Sequence, residues 1–99
     1  QVIILPISDK YQKYAKKVSE LLENSEIRAL IDSRSEKTGR KIRDAEMSKI
    51  PYMLIVGEKE ENEGTVSVRK HGEGDLGTLE LDAFIASVKE EINRTLVQF

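Results

Sequence analysis

Apolar residues follow two rhythms along the chain. Short, mostly apolar runs stand at residues 2–5, 27–31 and 52–56, and runs of that length without regular polar alternation belong to buried strands. Between the first two, Tyr11, Tyr14/Ala15, Val18 and Leu21/Leu22 recur at helical spacing, with Lys13, Lys16 and Lys17 off the stripe. That spacing predicts a helix from residue 9 to about 24, and Asp9 followed by Gln12 has the form of a capping box. A second helix is predicted over about 37–48, with Ile42, Ala45 and Lys49/Ile50 near one face and Pro51 biasing Ile50 away from helix. Residues 60–64 read as a polar turn, and residues 65–69 (Thr-Val-Ser-Val-Arg) alternate as a partly exposed strand does. Residues 71–75 form a glycine-rich loop, residues 76–81 a short extended piece, and Asp82 an N-cap for a last helix over about 83–96. Phe84/Ile85, Val88, Ile92 and Leu96 are its expected inward positions.

Strand, helix, strand, helix, strand, hairpin strand and closing helix together argue an α/β fold of three layers, α/β/α, with three main helices. The strand–helix alternation requires parallel neighbours and the short turn after residue 56 an antiparallel pair, so the sheet is expected to be mixed, mainly parallel and five-stranded. Ninety-nine residues form a single domain, residues 1–99. No apolar run approaches the roughly 20 residues of a membrane span, which makes a cytoplasmic location the default expectation.

Composition removes several chemistries. Without cysteine, and with His71 as the single histidine, there is no thiolate zinc site, no cysteine nucleophile and no multi-histidine cluster. No dinucleotide or P-loop glycine pattern follows the first strand, and Gly57-Glu58-Lys59 offers no phosphorylatable aspartate after the third. Ser8 and Asp9 read as helix-cap residues, and His71 as a solvated loop residue without a nucleophile beside it. No catalytic constellation emerges. Net charge is −2, yet residues 34–49 hold six basic against three acidic side chains, and residues 58–63 hold four Glu and one Lys. The basic segment leaves the end of the second strand, where open α/β sheets place binding loops. Gly39, early in the second helix, points to close approach of another backbone or a ligand.

In order, residues 32–43 (Asp-Ser-Arg-Ser-Glu-Lys-Thr-Gly-Arg-Lys-Ile-Arg), residues 49–60 with Ile-Pro-Tyr-Met-Leu-Ile-Val-Gly-Glu-Lys-Glu, residues 64–69 and Gly74-Asp75-Leu76-Gly77 closely resemble the C-terminal anticodon-binding domain of threonyl-tRNA synthetases, over nearly all of the chain. The resemblance implies a five-stranded mixed sheet with three main helices and a role in binding the anticodon stem-loop of threonine tRNA. It places Glu60 and Arg69 at base-reading positions. Glu60 would accept from guanine N1–H and N2–H, which adenine cannot supply, and Arg69 would offer a planar fork to a base acceptor edge or a phosphate. Ser35 stands where family members often carry Asn, and forms fewer hydrogen bonds than the amide. Arg34, Lys37, Arg40, Arg43 and Lys49 would contact the RNA backbone and position the loop.

By the same resemblance the parent chain is a threonine–tRNA ligase that uses ATP, with ATP and zinc held by a separate catalytic domain. This segment is then an excised, non-catalytic C-terminal fragment with no cofactor or metal of its own. Neither DNA nor membrane is an expected partner. The parent is expected to be a homodimer and the fragment a monomer. Two other readings stay open at this point: the anticodon domain of a related synthetase such as prolyl, and a protein-interaction module of the same fold.

Overall fold

A computed structural model of the chain describes residues 2–97, and side chains as far as residue 92. The elements run β1 (Val2–Pro6), a 3-10 turn (Asp9–Tyr11), α1 (Gln12–Asn24), β2 (Ala29–Ile31), α2 (Thr38–Met47), β3 (Tyr52–Val56), α3 (Glu58–Glu63), β4 (Thr65–Lys70), β5 (Gly74–Glu80) and α4 (Leu81–Val97). They form one five-stranded sheet of order β2-β1-β3-β4-β5. β1 lies parallel to β2 and β3, and β4 antiparallel to both β3 and β5, so only β4 runs against the rest. The mixed, mainly parallel sheet expected from the alternation of elements is the one observed.

Topology places the helices. The chain steps from β1 to β2 in one direction and from β2 to β3 in the other, and crossovers of one hand that reverse their travel put their helices on opposite faces. α1 and α4 accordingly cover one face, where Val2, Ile4, Leu54, Val56, Val66 and Val68 meet Tyr14, Val18, Leu22, Phe84 and Val88. α2 covers part of the other, where Ile3, Leu5, Met53 and Ile55 meet Ile42, Ala45 and Ile50. Alternation within β1 and β3 assigns each residue to its side.

Two helices end in the same device. After α1, Ile27 N–H donates to Leu22 O (2.9 Å) and Glu26 N–H to Glu23 O (2.9 Å). After α2, Ile50 N–H donates to Ala45 O (3.1 Å) and Lys49 N–H to Glu46 O (3.0 Å). These are Schellman closures, with Glu26 (φ 65°) and Lys49 (φ 57°) in the left-handed position usually given to glycine. The isoleucine that follows each one turns back into the core.

Several expectations need correction. Residues 58–63 are helical, where a turn was expected at 60–64: Glu60 Oε1 accepts from Gly57 N–H, acidic residues fill the first turn, and Gly64 (φ 69°) closes the end. Asp9 does not cap α1; it lies in the 3-10 turn, and no side chain caps that turn at Ser8. The second strand is three residues long, because residues 25–27 are spent on the Schellman closure, and as an edge strand it leaves Leu30 exposed. β5 starts at Gly74, inside the expected loop. Arg69 pairs with Asp75 and Val68 with Gly77, so Leu76 is an extra, bulged residue. Asp82 falls within the first turn of α4, which starts at Leu81. Leu21 and Ile92, expected inward, are exposed, α4 leaving the core after Val88. The inward position of Leu96 lies outside the described side chains.

Candidate nucleic-acid interface

The parallel strands β2, β1 and β3 end on one edge, and their following loops converge there. Ile7, Ser8 and Asp9 come from β1, Arg34, Ser35 and Lys37 from the loop after β2, and together they line an open cleft with Lys41 of α2. Lys41 is almost wholly buried. Its ammonium donates to Pro6 O at 3.2 Å and to Asp32 O at 3.1 Å, tying the ends of β1 and β2 to α2. An ammonium has three protons and no acceptor, so one N–H remains beyond these two bonds.

The loop that carries Ser35 is fastened a second time. Arg34 donates to Asp32 through Nε (2.9 Å) and Nη2 (2.8 Å), and Nη2 also reaches Asp44 on α2 at 2.9 Å. The hydrogen-bonded Arg34 guanidinium holds the Asp32 carboxyl below the usual carboxylate range. Two carboxylates therefore hold the charge of Arg34, which anchors the loop. Ser35 and Lys37 beyond it are exposed. Lys37 is the N-cap of α2 without a side-chain cap bond, and no acidic residue stands in the first turn. That helix end keeps its partial positive charge, flanked by Lys37 and Arg40. Among the described residues, no atom outside its own helix turn lies within 4 Å of a Cβ added at Gly39, so no neighbouring backbone requires glycine there.

Glu60 stands across the same edge. A Cβ on Gly57 would meet Ile7 Cδ1 at 2.7 Å, so Ile7 borders both the Ser35 cleft and the start of α3. Glu60 is 9% exposed, with Oε1 accepting from Gly57 N–H at 2.8 Å and Oε2 from the Ser67 hydroxyl at 3.0 Å. A carboxylate has about four lone-pair sites, two on each oxygen. One on each oxygen is occupied from within the domain, which leaves one on each for a planar pair of outside donors.

Ser67 and Arg69 are paired across β3–β4 with Ile55 and Met53, which belong to the α2-side core, so both side chains stand on that face. Two residues along a strand separate them by roughly 7 Å. Arg69 is half-buried, and its Nε is buried without a hydrogen-bond partner among the described residues. A buried guanidinium donor in that state is poised for an acceptor supplied from outside.

The remaining candidates are spread out. Arg40 and Arg43 are exposed along α2, and Lys49 lies past its far end, at the opposite edge from Lys37. Nearby, the His71 backbone N–H donates to Pro51 O, and its side-chain Nδ1 contacts Glu46 Oε2 at 3.0 Å, which gives the imidazole a structural partner in place of a fully solvated side chain. Among the described residues no group of three or more His, Cys, Asp or Glu side chains could hold a metal ion. No helix there is long and apolar enough to cross a membrane. Sequence reasoning overlooked Lys41 as anything more than one of the basic run, although it lies one turn before Ala45 on the buried stripe. It also overlooked Ser67 and Thr78, whose meeting depends on strand register, and the Asp32–Arg34–Asp44 anchor.

The family described as anticodon binding domain matches residues 1–91, and the chain belongs to it. It is similar to the threonine–tRNA ligase of Flavobacterium johnsoniae, 59% identical over 101 residues that cover 100% of this chain and 16% of the relative. It is also similar to that of Bacteroides fragilis, 56% identical over 96 residues, 97% of this chain and 15% of the relative. The chain thus spans about a sixth of the length of these curated relatives. The RNA binding domain of threonyl-tRNA synthetase from Cryptosporidium parvum Iowa II matches with a TM-score of 0.85 at 29% identity, over 91% of this chain and 23% of that one. Histidyl-tRNA synthetase from Nostoc sp. PCC 7120 matches with a TM-score of 0.85 at 18% identity, over 93% and 22%, a likeness of fold alone.

Proposed function

We propose that this chain is the anticodon-recognising domain of a threonine–tRNA ligase, and that it reads the guanine at the second anticodon position of threonine tRNA through Glu60. The observation that carries this reading is the Glu60 carboxylate: it is held at both oxygens, with one acceptor site left on each. Guanine presents N1–H and N2–H side by side and satisfies both sites. Adenine presents an acceptor at N1 and leaves a buried carboxylate facing a lone pair. Arg69 lies along the same face and offers its unpaired Nε–H to a base or phosphate acceptor.

Ser35, on the anchored loop across Ile7, contributes a single hydroxyl toward the neighbouring base. Lys37 and Arg40 at the α2 N-terminus, with Arg43 behind them, hold phosphates and position the loop without reading sequence. Arg34 serves chiefly by fixing that loop, and Lys49 is a peripheral contact at most. Attachment of threonine with ATP, and any zinc that orients it, belong to the remainder of the parent ligase, a cytoplasmic homodimer in this reading. The 99-residue chain alone is monomeric, which light scattering checks.

The test is binding of the chain, at low salt, to a threonine anticodon stem-loop and to one whose central guanine is replaced by adenine. Guanine is expected to be preferred, and Glu60→Gln to remove about 1–3 kcal/mol of that preference. A Glu60→Gln variant that keeps the wild-type preference refutes the assignment.

A further inference from the structure

Three elements meet behind the Glu60 carboxylate. Glu60 comes from α3, Ser67 from β4, and Thr78 from β5, where it is the register partner of Ser67. The Ser67 hydroxyl donates to Glu60 Oε2 at 3.0 Å. Ser67 Oγ and Thr78 Oγ1 lie 3.4 Å apart, a pairing in which geometry alone leaves the donor open. Proton count closes that choice. The carboxylate accepts only, so Ser67 spends its one proton on Glu60, and the second bond has Thr78 donating to Ser67. A directed chain results, Thr78 O–H to Ser67 Oγ and Ser67 O–H to Glu60 Oε2, in which each bond polarises the next.

We propose that Ser67 is a positioning residue for guanine selectivity, with Thr78 supporting it; the inference rests on Glu60 reading the base. The last torsion of a glutamate side chain is broad and roughly two-fold, so nothing intrinsic holds its carboxylate in the plane a base edge requires. Gly57 N–H fixes one oxygen and leaves the group free to turn about it. Ser67 fixes the second oxygen, sets the plane, and leaves the outward lone pairs as a matched pair. Without Ser67 the carboxylate must be ordered when guanine arrives, and ordering one side chain at an interface lowers affinity by about 2- to 10-fold.

The loss falls on guanine. An adenine-bearing loop makes no bidentate bond to Glu60 and has nothing to lose. Phosphate contacts through Lys37 and Arg40 do not involve Ser67, so the salt dependence of binding is unchanged.

The experiment compares wild type, Ser67→Ala, Ser67→Thr, Thr78→Val and Glu60→Gln against three stem-loops with guanine, inosine or adenine at the central anticodon position. Inosine keeps N1–H and lacks the amino group, so it reports on a single bond. Ser67→Ala is expected to weaken the guanine loop by about 2- to 10-fold and the inosine loop by less, with the adenine loop and the salt slope unaltered. Ser67→Thr keeps the hydroxyl and is expected to restore most of the preference, and Thr78→Val to lose about 2-fold. Circular dichroism confirms that each variant is folded, and Ser67→Cys, similar in size with a weak donor, stands in if Ser67→Ala is not. If Glu60→Gln reduces the guanine preference while Ser67→Ala leaves it intact, or weakens all three loops equally, the role of Ser67 is overturned and the reading of Glu60 survives. If Glu60→Gln also leaves the preference intact, the reading falls and takes this inference with it.

Discussion

Replacing Lys41 with Met tests whether a buried cation holds the interface edge together. The substitution keeps most of the buried aliphatic stem and removes the ammonium that donates to Pro6 O and Asp32 O. Hydrogen bonds to charged groups contribute about 1.5–3 kcal/mol each, and a buried carbonyl left without a donor costs about 1–3 kcal/mol. The Pro6 bond is buried and the Asp32 bond partly so. The first therefore incurs most of that cost and the second a fraction. Against this, the variant no longer desolvates an ammonium, which returns part of the loss.

The net expectation is a destabilisation of roughly 2–3 kcal/mol, a large share of the 5–15 kcal/mol typical of a small domain. Urea denaturation followed by far-ultraviolet circular dichroism measures it, with an unchanged m-value as the sign that the unfolding transition is otherwise the same. Thermal melts should fall by about 10–20 °C. Lys37→Met, on the exposed start of the same helix, is the control and should change stability by less than about 0.5 kcal/mol. A Lys41→Met variant as stable as that control would show that the two carbonyl contacts contribute nothing and that Lys41 is buried only by its stem.

Other expectations follow from the same geometry. Asp32 is held below its unfolded value near 3.9 by the hydrogen-bonded Arg34 guanidinium. Its contribution is therefore present above about pH 4 and is lost as pH falls through the depressed folded value, so Arg34→Gln should flatten the acid limb of stability in urea titrations between about pH 6 and 2. Lys49→Gly relieves a left-handed conformation at φ 57° and should raise stability by about 0.5–1 kcal/mol, with only a small change in stem-loop affinity because Lys49 lies far from Lys37. A stability loss would show that the Lys49 side chain itself is needed at that turn. Tyr14→Phe removes the buried bond to Thr65 O at 2.7 Å and should cost about 1–2 kcal/mol by urea denaturation, without altering guanine preference, since it stands on the opposite face of the sheet.

The family resemblance, and not the pattern, singled out Glu60 and Arg69; the chain's pattern alone determined the order of the main strands and helices, the mixed sheet, the three helices with apolar stripes, and the basic run. The elements are readable because period and run length are local properties: a buried strand or an amphipathic helix is written in neighbouring residues. The short helix α3 was missed because residues 58–63 carry no apolar stripe. What makes them helical is a capping bond from Gly57 N–H to the Glu60 carboxylate and a left-handed Gly64, with the Ser67 hydroxyl holding the other oxygen of Glu60. The Schellman turns at Glu26 and Lys49 were hidden for a related reason, since neither residue type advertises a positive φ.

Only the tertiary structure decided which charges are free. Arg34 and Lys37 are near neighbours in sequence and equal in formal charge, yet one is spent on Asp32 and Asp44 while the other stands exposed at a helix end. Lys41, in the same run, points inward to two backbone carbonyls whose residues are 35 and 9 positions away. Likewise Ser67 meets Glu60 and Thr78 only because β4 lies beside β5 in one register and α3 folds back over it. Composition sets how many charges and hydroxyls a domain has; which of them remain for a ligand depends on pairings between distant segments, and those exist only once the sheet has closed.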